Sequence, residues 1–127
     1  MAIIRQVQRG NVTKPAGSAT VTVTIPQTLL DMSKSILLFS MQTASTSNPA
    51  RDGLLTGELI STTQITFRDN SGGTNPAVYI EWQIIEYFEG VNVQRGTVTN
   101  VQNGGVNVAI SAITVAKSWV IISARAN

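Results

Sequence analysis

Residues 19–25, Ala-Thr-Val-Thr-Val-Thr-Ile, alternate apolar and hydroxyl side chains without a break. Successive side chains of a strand point to opposite faces. Val21, Val23 and Ile25 therefore share one face, and Thr20, Thr22 and Thr24 the other: a half-buried strand. Gln64-Ile-Thr-Phe-Arg68 alternates in the same way. Lys34-Ser-Ile-Leu-Leu-Phe-Ser-Met41 is more continuously apolar and predicts a strand covered on both faces. Between Ala77 and Phe88, the residues Val78, Ile80, Trp82 and Ile84 share a face. The phase then slips, and a β-bulge at Ile84-Ile85 is expected to return Ile85 and Tyr87 to that inner face. Further strands are expected over Val91 to Thr99, Val106 to Ile110 and Lys117 to Arg125, the last packing around Trp119. No segment sustains a 3.6-residue period, although Gln27 to Ser33 has room for one short turn. Residues 69–76 are dense in turn formers and predict a hairpin loop. Residues 44–53 form the longest polar loop. The expected fold is all-β, an antiparallel β-sandwich or jelly roll of about eight or nine strands.

The chain also repeats itself. Val7-Gln-Arg-Gly-Asn-Val-Thr13 matches Val93-Gln-Arg-Gly-Thr-Val-Thr99. Val21-Thr-Val-Thr-Ile25 matches Val106-Asn-Val-Ala-Ile110, and Lys34-Ser-Ile-Leu-Leu-Phe-Ser40 matches Lys117-Ser-Trp-Val-Ile-Ile-Ser123. Residues 7–41 and 93–124 are thus two copies of a three-strand unit. Such a unit is too small to bury its own apolar face and must pack on something else.

Composition limits the chemistry. The chain has 127 residues, no Cys and no His. Disulfides, thiolate nucleophiles, imidazole bases and imidazole or thiolate metal ligands are excluded. Thr, Ser, Asn and Gln number 43 and charged residues are only 13%, so hydroxyls and amides must supply much of the solvated surface. One domain, residues 1–127, is the natural count at this length. The net charge is +2, and its nine basic residues are scattered rather than gathered into a stripe, which speaks against nucleic acid as a partner. No run of 18 apolar residues predicts a membrane span. The first residues lack the pattern of a secretory leader, so synthesis in the cytoplasm is expected.

Few residues suggest a site. Glu81 and Glu86 are the nearest strand carboxylates. With the expected bulge both would face outward, roughly 16 Å apart, too far for glycoside hydrolysis. No catalytic, metal or cofactor residues are therefore assigned, and no enzyme activity is expected. Asp69 and Asn70 offer oxygens in a turn, but a single local carboxylate is poor for calcium. Arg51 and Asp52 in the long loop are candidates for partner contact or simply for a turn. Arg9 and Arg95 occupy equivalent places in the repeat. They are either paired binding groups or markers of a bend at which the following glycine takes positive φ, and the bend is the simpler reading. Trp82 and Trp119 sit in apolar strands and are expected in the core. Tyr87 and Phe88 are adjacent, so one must face away, and an exposed Phe88 would mark an interface or a sugar platform.

Together the two Val-Gln-Arg-Gly motifs, Asp31-Met-Ser-Lys-Ser35, Gly57-Glu-Leu-Ile-Ser-Thr-Thr-Gln-Ile-Thr-Phe67 and Tyr79-Ile-Glu-Trp-Gln-Ile-Ile-Glu86 resemble small β-sandwich virion proteins of tailed bacteriophages. The resemblance covers most of the chain. It implies a structural protein of the particle, a capsid decoration (cement) protein or a tail or fibre component. Its partners would be other virion proteins, such as the major capsid protein, and further copies of itself, with a trimer favoured. Ile65-Thr-Phe-Arg68 and Val78-Tyr-Ile-Glu-Trp82 also look like paired strands of H-type lectin sandwiches, which trimerise and bind sugars. No sugar-contact motif carries over residue by residue, so a glycan is an alternative partner on architecture alone.

Overall fold

The computed structural model describes residues 1–43, 54–69, 75–99 and 105–125. Six strands occur among them: β1 (Ile3–Lys14), β2 (Thr20–Thr24), β3 (Ser35–Thr43), β4 (Thr56–Ser61), β5 (Gln64–Arg68) and β6 (Val78–Glu89). They form two antiparallel three-stranded sheets, ordered β1-β6-β3 and β2-β5-β4. The protein is an all-β sandwich. The chain crosses between sheets after β1, β2 and β3, makes the β4–β5 hairpin, and returns as β6 between β1 and β3. A 3-10 turn over Met32–Lys34 leads into β3.

The alternation in the sequence becomes the core. Val78, Ile80, Trp82 and Ile84 are all buried on the inner face of β6. Opposite them lie Ile65 and Phe67 of β5 and Leu59 of β4, with Ile25, Leu29 and Leu55 from the connections. Phe39 meets Phe67 edge to face across the sheets, their centroids 5.2 Å apart, a favoured aromatic geometry. On β1 the inward positions are Gln8, Gly10, Val12 and Lys14. Gly10 pairs with Trp82, and a Cβ at Gly10 would lie 2.5 Å from the indole. The ring therefore rests directly on bare backbone. Gly10 needs no unusual dihedral: among the described residues the glycines with positive φ are Gly17 and Gly90. The bend expected at Arg9-Gly10 is a straight strand with an aromatic seat.

Several expectations are corrected. Ile84 and Ile85 pair in unbroken register with Gln8 and Val7 on one side and with Leu37 and Ile36 on the other, so the bulge is absent. Glu86 instead of Ile85 takes the inward place, because its carboxylate is fully hydrogen-bonded there. Glu81 and Glu86 consequently face opposite ways. β3 is an edge strand with Leu38 and Met41 exposed, not one covered on both faces. β5 and β6 lie in different sheets, so they are not the two arms of a hairpin; residues 70–74 of the expected hairpin loop lie outside the described residues. For the same reason Ile65–Arg68 and Val78–Trp82 are not a lectin-like strand pair. Finally, residues 91–99 and 105–125 contain no strand, only extended chain and a 3-10 turn over Val115–Lys117. Their backbone has no ladder to join, and a strand exists only through its neighbour. Trp119, expected in the core, is 64% exposed.

Candidate functional site

Two buried polar clusters fix the ends of the sandwich. At one end Glu86 Oε2 accepts from Arg5 and, at 2.6 Å, from Gln6 Nε2. Its Oε1 accepts from the backbone amides of Leu30 and Asp31 at 2.7 and 3.0 Å. Burial pushes the Glu86 carboxyl up, but the Asp31 amide, Arg5, Gln6 and the Leu30 amide outweigh it and hold it below the ordinary glutamate value. At the other end Lys14 is wholly buried. Its ammonium donates to the carbonyls of Pro15, Ser18 and Pro76 at 3.2, 2.7 and 3.2 Å. It also forms an ion pair with Asp69 Oδ2 at 2.8 Å, although that oxygen has no aligned hydrogen-bond donor. Asn75 Nδ2 donates to Asp69 Oδ1 at 2.8 Å. Both clusters direct their charged groups to partners within the fold and tie crossovers to strands. They are joints of the structure.

The expected contact residues separate. Asp69 is buried in the Lys14 joint and is unavailable to a partner. Arg9 lies on the outer face of β1, where its Nε donates to Gln83 Oε1 at 2.9 Å. Arg95 does something different: its guanidinium donates to the carbonyl of Met32 at 2.6 Å and to that of Ser35. Partial burial lowers its proton affinity, against the attraction of Asp31 and Glu58. Arg95 thus pins the second repeat to the turn before β3, helped by Val93 N donating to Ser33 O at 2.6 Å. The two arginines are not equivalent groups. Phe88 is exposed at the end of β6. Arg51, Asp52 and Asn70 lie outside the described residues.

The exposed apolar side chains of the second repeat were not anticipated. Along the second repeat, Val98, Val106, Val108, Ile110, Ile113 and Val115 are all exposed, and so is the run Trp119, Val120, Ile121 and Ile122. Several counterparts in the first repeat are covered: Ile25 is 5% exposed against 59% for Ile110, and Ile36 8% against 64% for Trp119.

The local joints of the first repeat nevertheless recur in the second. Gln8 clamps Gln27 by two hydrogen bonds, Nε2 to O at 2.7 Å and N to Oε1 at 2.8 Å. Gln94 clamps Ser111 in the same way at 3.1 and 2.7 Å. The turn Met32–Lys34 has its twin in Val115–Lys117. Ser35 Oγ and Ser118 Oγ each donate four residues back, to Asp31 O and Thr114 O, both at 2.8 Å.

Elsewhere the surface of the described residues has two shallow depressions beside Tyr79, one of about 170 Å³ lined by Ser40, Met41, Gln42, Tyr79 and Glu81, the other of about 230 Å³ lined by Thr13, Gln42, Thr43, Ala77 and Tyr79. Register places Gln42 opposite Tyr79 and Ser40 opposite Glu81 on the outer face. Among the described residues no group of three or more acidic side chains gathers as a metal site would require, and no helix is long and apolar enough to cross a membrane. Comparison with family models, curated proteins and solved structures finds no match.

Proposed function

We propose that this protein is a non-enzymatic structural component of a bacteriophage particle, most simply a capsid decoration protein that strengthens the head through protein–protein contacts. The observation that carries the reading is the set of exposed apolar side chains in the described part of the second repeat, Val98, Val108, Ile110, Val120 and Ile122 among them, beside a well-packed sandwich. A free protein gains nothing by leaving such a surface in water, where each buried methylene is worth about 0.8 kcal/mol. A particle component covers it on assembly. The sequence resemblance supplies the setting, and copies of the chain are expected to act together, three-fold by that analogy. Deleting the gene from the phage that carries it is expected to lower particle resistance to heat and osmotic shock, and purified protein should restore it. Unchanged resistance in particles that lack the protein would refute the proposal.

One observation favours a second reading, a glycan-binding module. Tyr79 is partly exposed beside Gln42, Glu81 and Ser40. An aromatic face next to an amide and a carboxylate suits a sugar ring. A glycan array probed at millimolar glycan should then give hits that Tyr79→Ala abolishes; an array without a hit ends this reading.

A further inference from the structure

We propose that Lys14 and Asn75 become joined by an amide bond between Nζ and Cγ, made inside the folded chain with Asp69 as the proton carrier. The chain has no cysteine, so any covalent tie across this sandwich must use other side chains. Lys14 ends β1 and is wholly buried, Asp69 follows β5 and is 3% exposed, and Asn75 precedes β6. One carboxylate holds both reacting groups. Its Oδ2 is 2.8 Å from Lys14 Nζ, and its Oδ1 accepts from Asn75 Nδ2 at 2.8 Å. The carbonyl of Pro76, one residue beyond Asn75, accepts from Nζ at 3.2 Å. Lys14 also faces Val78 in the β1–β6 ladder, so the strands that carry the amine and the carboxamide are fixed before any chemistry begins. Positioning of this kind replaces much of the barrier of a reaction that is bimolecular in solution.

A plain ion pair needs only Lys14 and Asp69. The arrangement goes beyond that in two ways: the second oxygen of the carboxylate is turned to a carboxamide, and Oδ2 is buried without an aligned hydrogen-bond donor. Oδ2 is therefore open to take a proton. When the ammonium passes one to it, a neutral amine and a neutral acid replace two charges that are costly to bury. The amine lone pair then attacks Asn75 Cγ, the new N–C bond forms, and the carbonyl electron pair moves to Asn75 Oδ1. Asp69 gives its proton to Nδ2 and takes one from the attacking nitrogen, as a general acid and base. The Cγ–Nδ2 bond breaks with its electron pair on nitrogen, and the carbonyl re-forms. Ammonia leaves with the last proton as ammonium. The balance is one lysine ammonium and one carboxamide giving one secondary amide and one ammonium. Asp69 ends as it began, and no oxidant or cofactor enters.

Asp69 is the competing acceptor, since Nζ is also beside its carboxyl group. That bond would expel water from the acid that contacts Lys14 among the described residues, and would use up the group needed to protonate the departing oxygen. Asn75 is the acceptor that leaves Asp69 free to move protons. The inference concerns the free chain and does not depend on the particle reading.

The test is mass spectrometry of the purified full chain, incubated folded at neutral pH and then digested with trypsin. Residues 10–34 and 69–95 should be recovered as one joined peptide, lighter by one ammonia than the sum of its parts, with fragment ions that place the link between Lys14 and Asn75. Asn75→Ala should abolish the joined peptide. Asp69→Ala, where circular dichroism shows it folded, should slow joining about a hundredfold. Separate peptides of full mass from the parent chain overturn the inference, whether or not a variant folds. So does ammonia lost within a single peptide, as cyclisation of an asparagine would give. A joined peptide lighter by one water places the bond on Asp69 and overturns it as well, as does joining at the parent rate in folded Asp69→Ala.

Discussion

Gly10→Ala and Gly96→Ala change the same residue of the same motif and should behave oppositely. At Gly10 the new methyl lies 2.5 Å from Trp82 Cζ2 and 2.9 Å from Cε2. The indole is buried and bounded by the inner face of the opposite sheet, so it has little room to retreat. Overpacking of this kind costs about 1–3 kcal/mol. Against it stands a gain of about 0.4–1 kcal/mol from the stiffer unfolded chain. The net loss is about 1–2 kcal/mol, and at this chain length the midpoint should fall by roughly 3–10 °C. Gly96→Ala meets open space and should stay within about 0.5 kcal/mol of the parent. Calorimetry on both variants, with near-ultraviolet circular dichroism to follow the buried indole, separates the outcomes. A Gly10→Ala midpoint within 1 °C of the parent would mean that the ring does not rest on the β1 backbone. A Gly96→Ala midpoint as low as that of Gly10→Ala would mean that Gly96 does not face open space in solution.

Three other perturbations probe the joints and the bare surface. The Glu86 carboxyl sits below its unfolded value, so its stabilisation is complete above about pH 4.3 and is lost as pH falls through the folded value. Urea midpoints measured from pH 7 to pH 3 should therefore drop at the acid end and drop less in Glu86→Gln, which at neutral pH should itself cost about 1.5–3 kcal/mol. Exposed Asp31, lowered by its bonds to Ser33, titrates with the same sign and should leave a residual slope. Lys14→Met strands the buried Asp69 carboxylate and three carbonyls and should cost about 3–5 kcal/mol by denaturant titration, whereas Lys34→Met, at an exposed pair 3.8 Å long, should cost under about 1 kcal/mol. Trp119→Ser with Ile122→Ser should leave the thermal midpoint unchanged and raise the concentration at which light scattering first reports association, because both side chains lie in water in the single chain.

The two-residue period was enough to find β2, β5 and the apolar half of β6, because each needs only one buried face and nothing interrupts the pattern. It failed at Glu86. There an acidic residue occupies an inward position, and periodicity treats any charge as outward. The signal that could have corrected it is the spacing itself: Val78, Ile80, Trp82, Ile84 and Glu86 keep a strict two-residue step. Lys14 was passed over for the same reason, although it continues the step of Gln8, Gly10 and Val12. Which sheet a strand joins was not legible at all. The turn formers at 69–76 look the same whether the chain doubles back or crosses over, and only the packing of β6 between β1 and β3 distinguishes them. Among the expected contacts, Phe88 is exposed, whereas Asp69 is consumed by the fold.

The second repeat shows where local sequence stops determining structure. Gln94, the turn at Val115–Lys117 and Ser118 reproduce their counterparts to within a few tenths of an ångström in hydrogen-bond length. These contacts span at most 17 residues and form from nearby chain alone. Strand pairing in the first repeat joins β1 to β6 across more than 60 residues, and the described residues of the second repeat make no equivalent pairing. The same words therefore give the same corners but not the same walls. Val98, Val108, Ile110, Val120 and Ile122 match Val12, Val23, Ile25, Leu37 and Phe39, which pack on the core of the sandwich. Without a ladder to hold them against a second layer, the same apolar positions lie exposed.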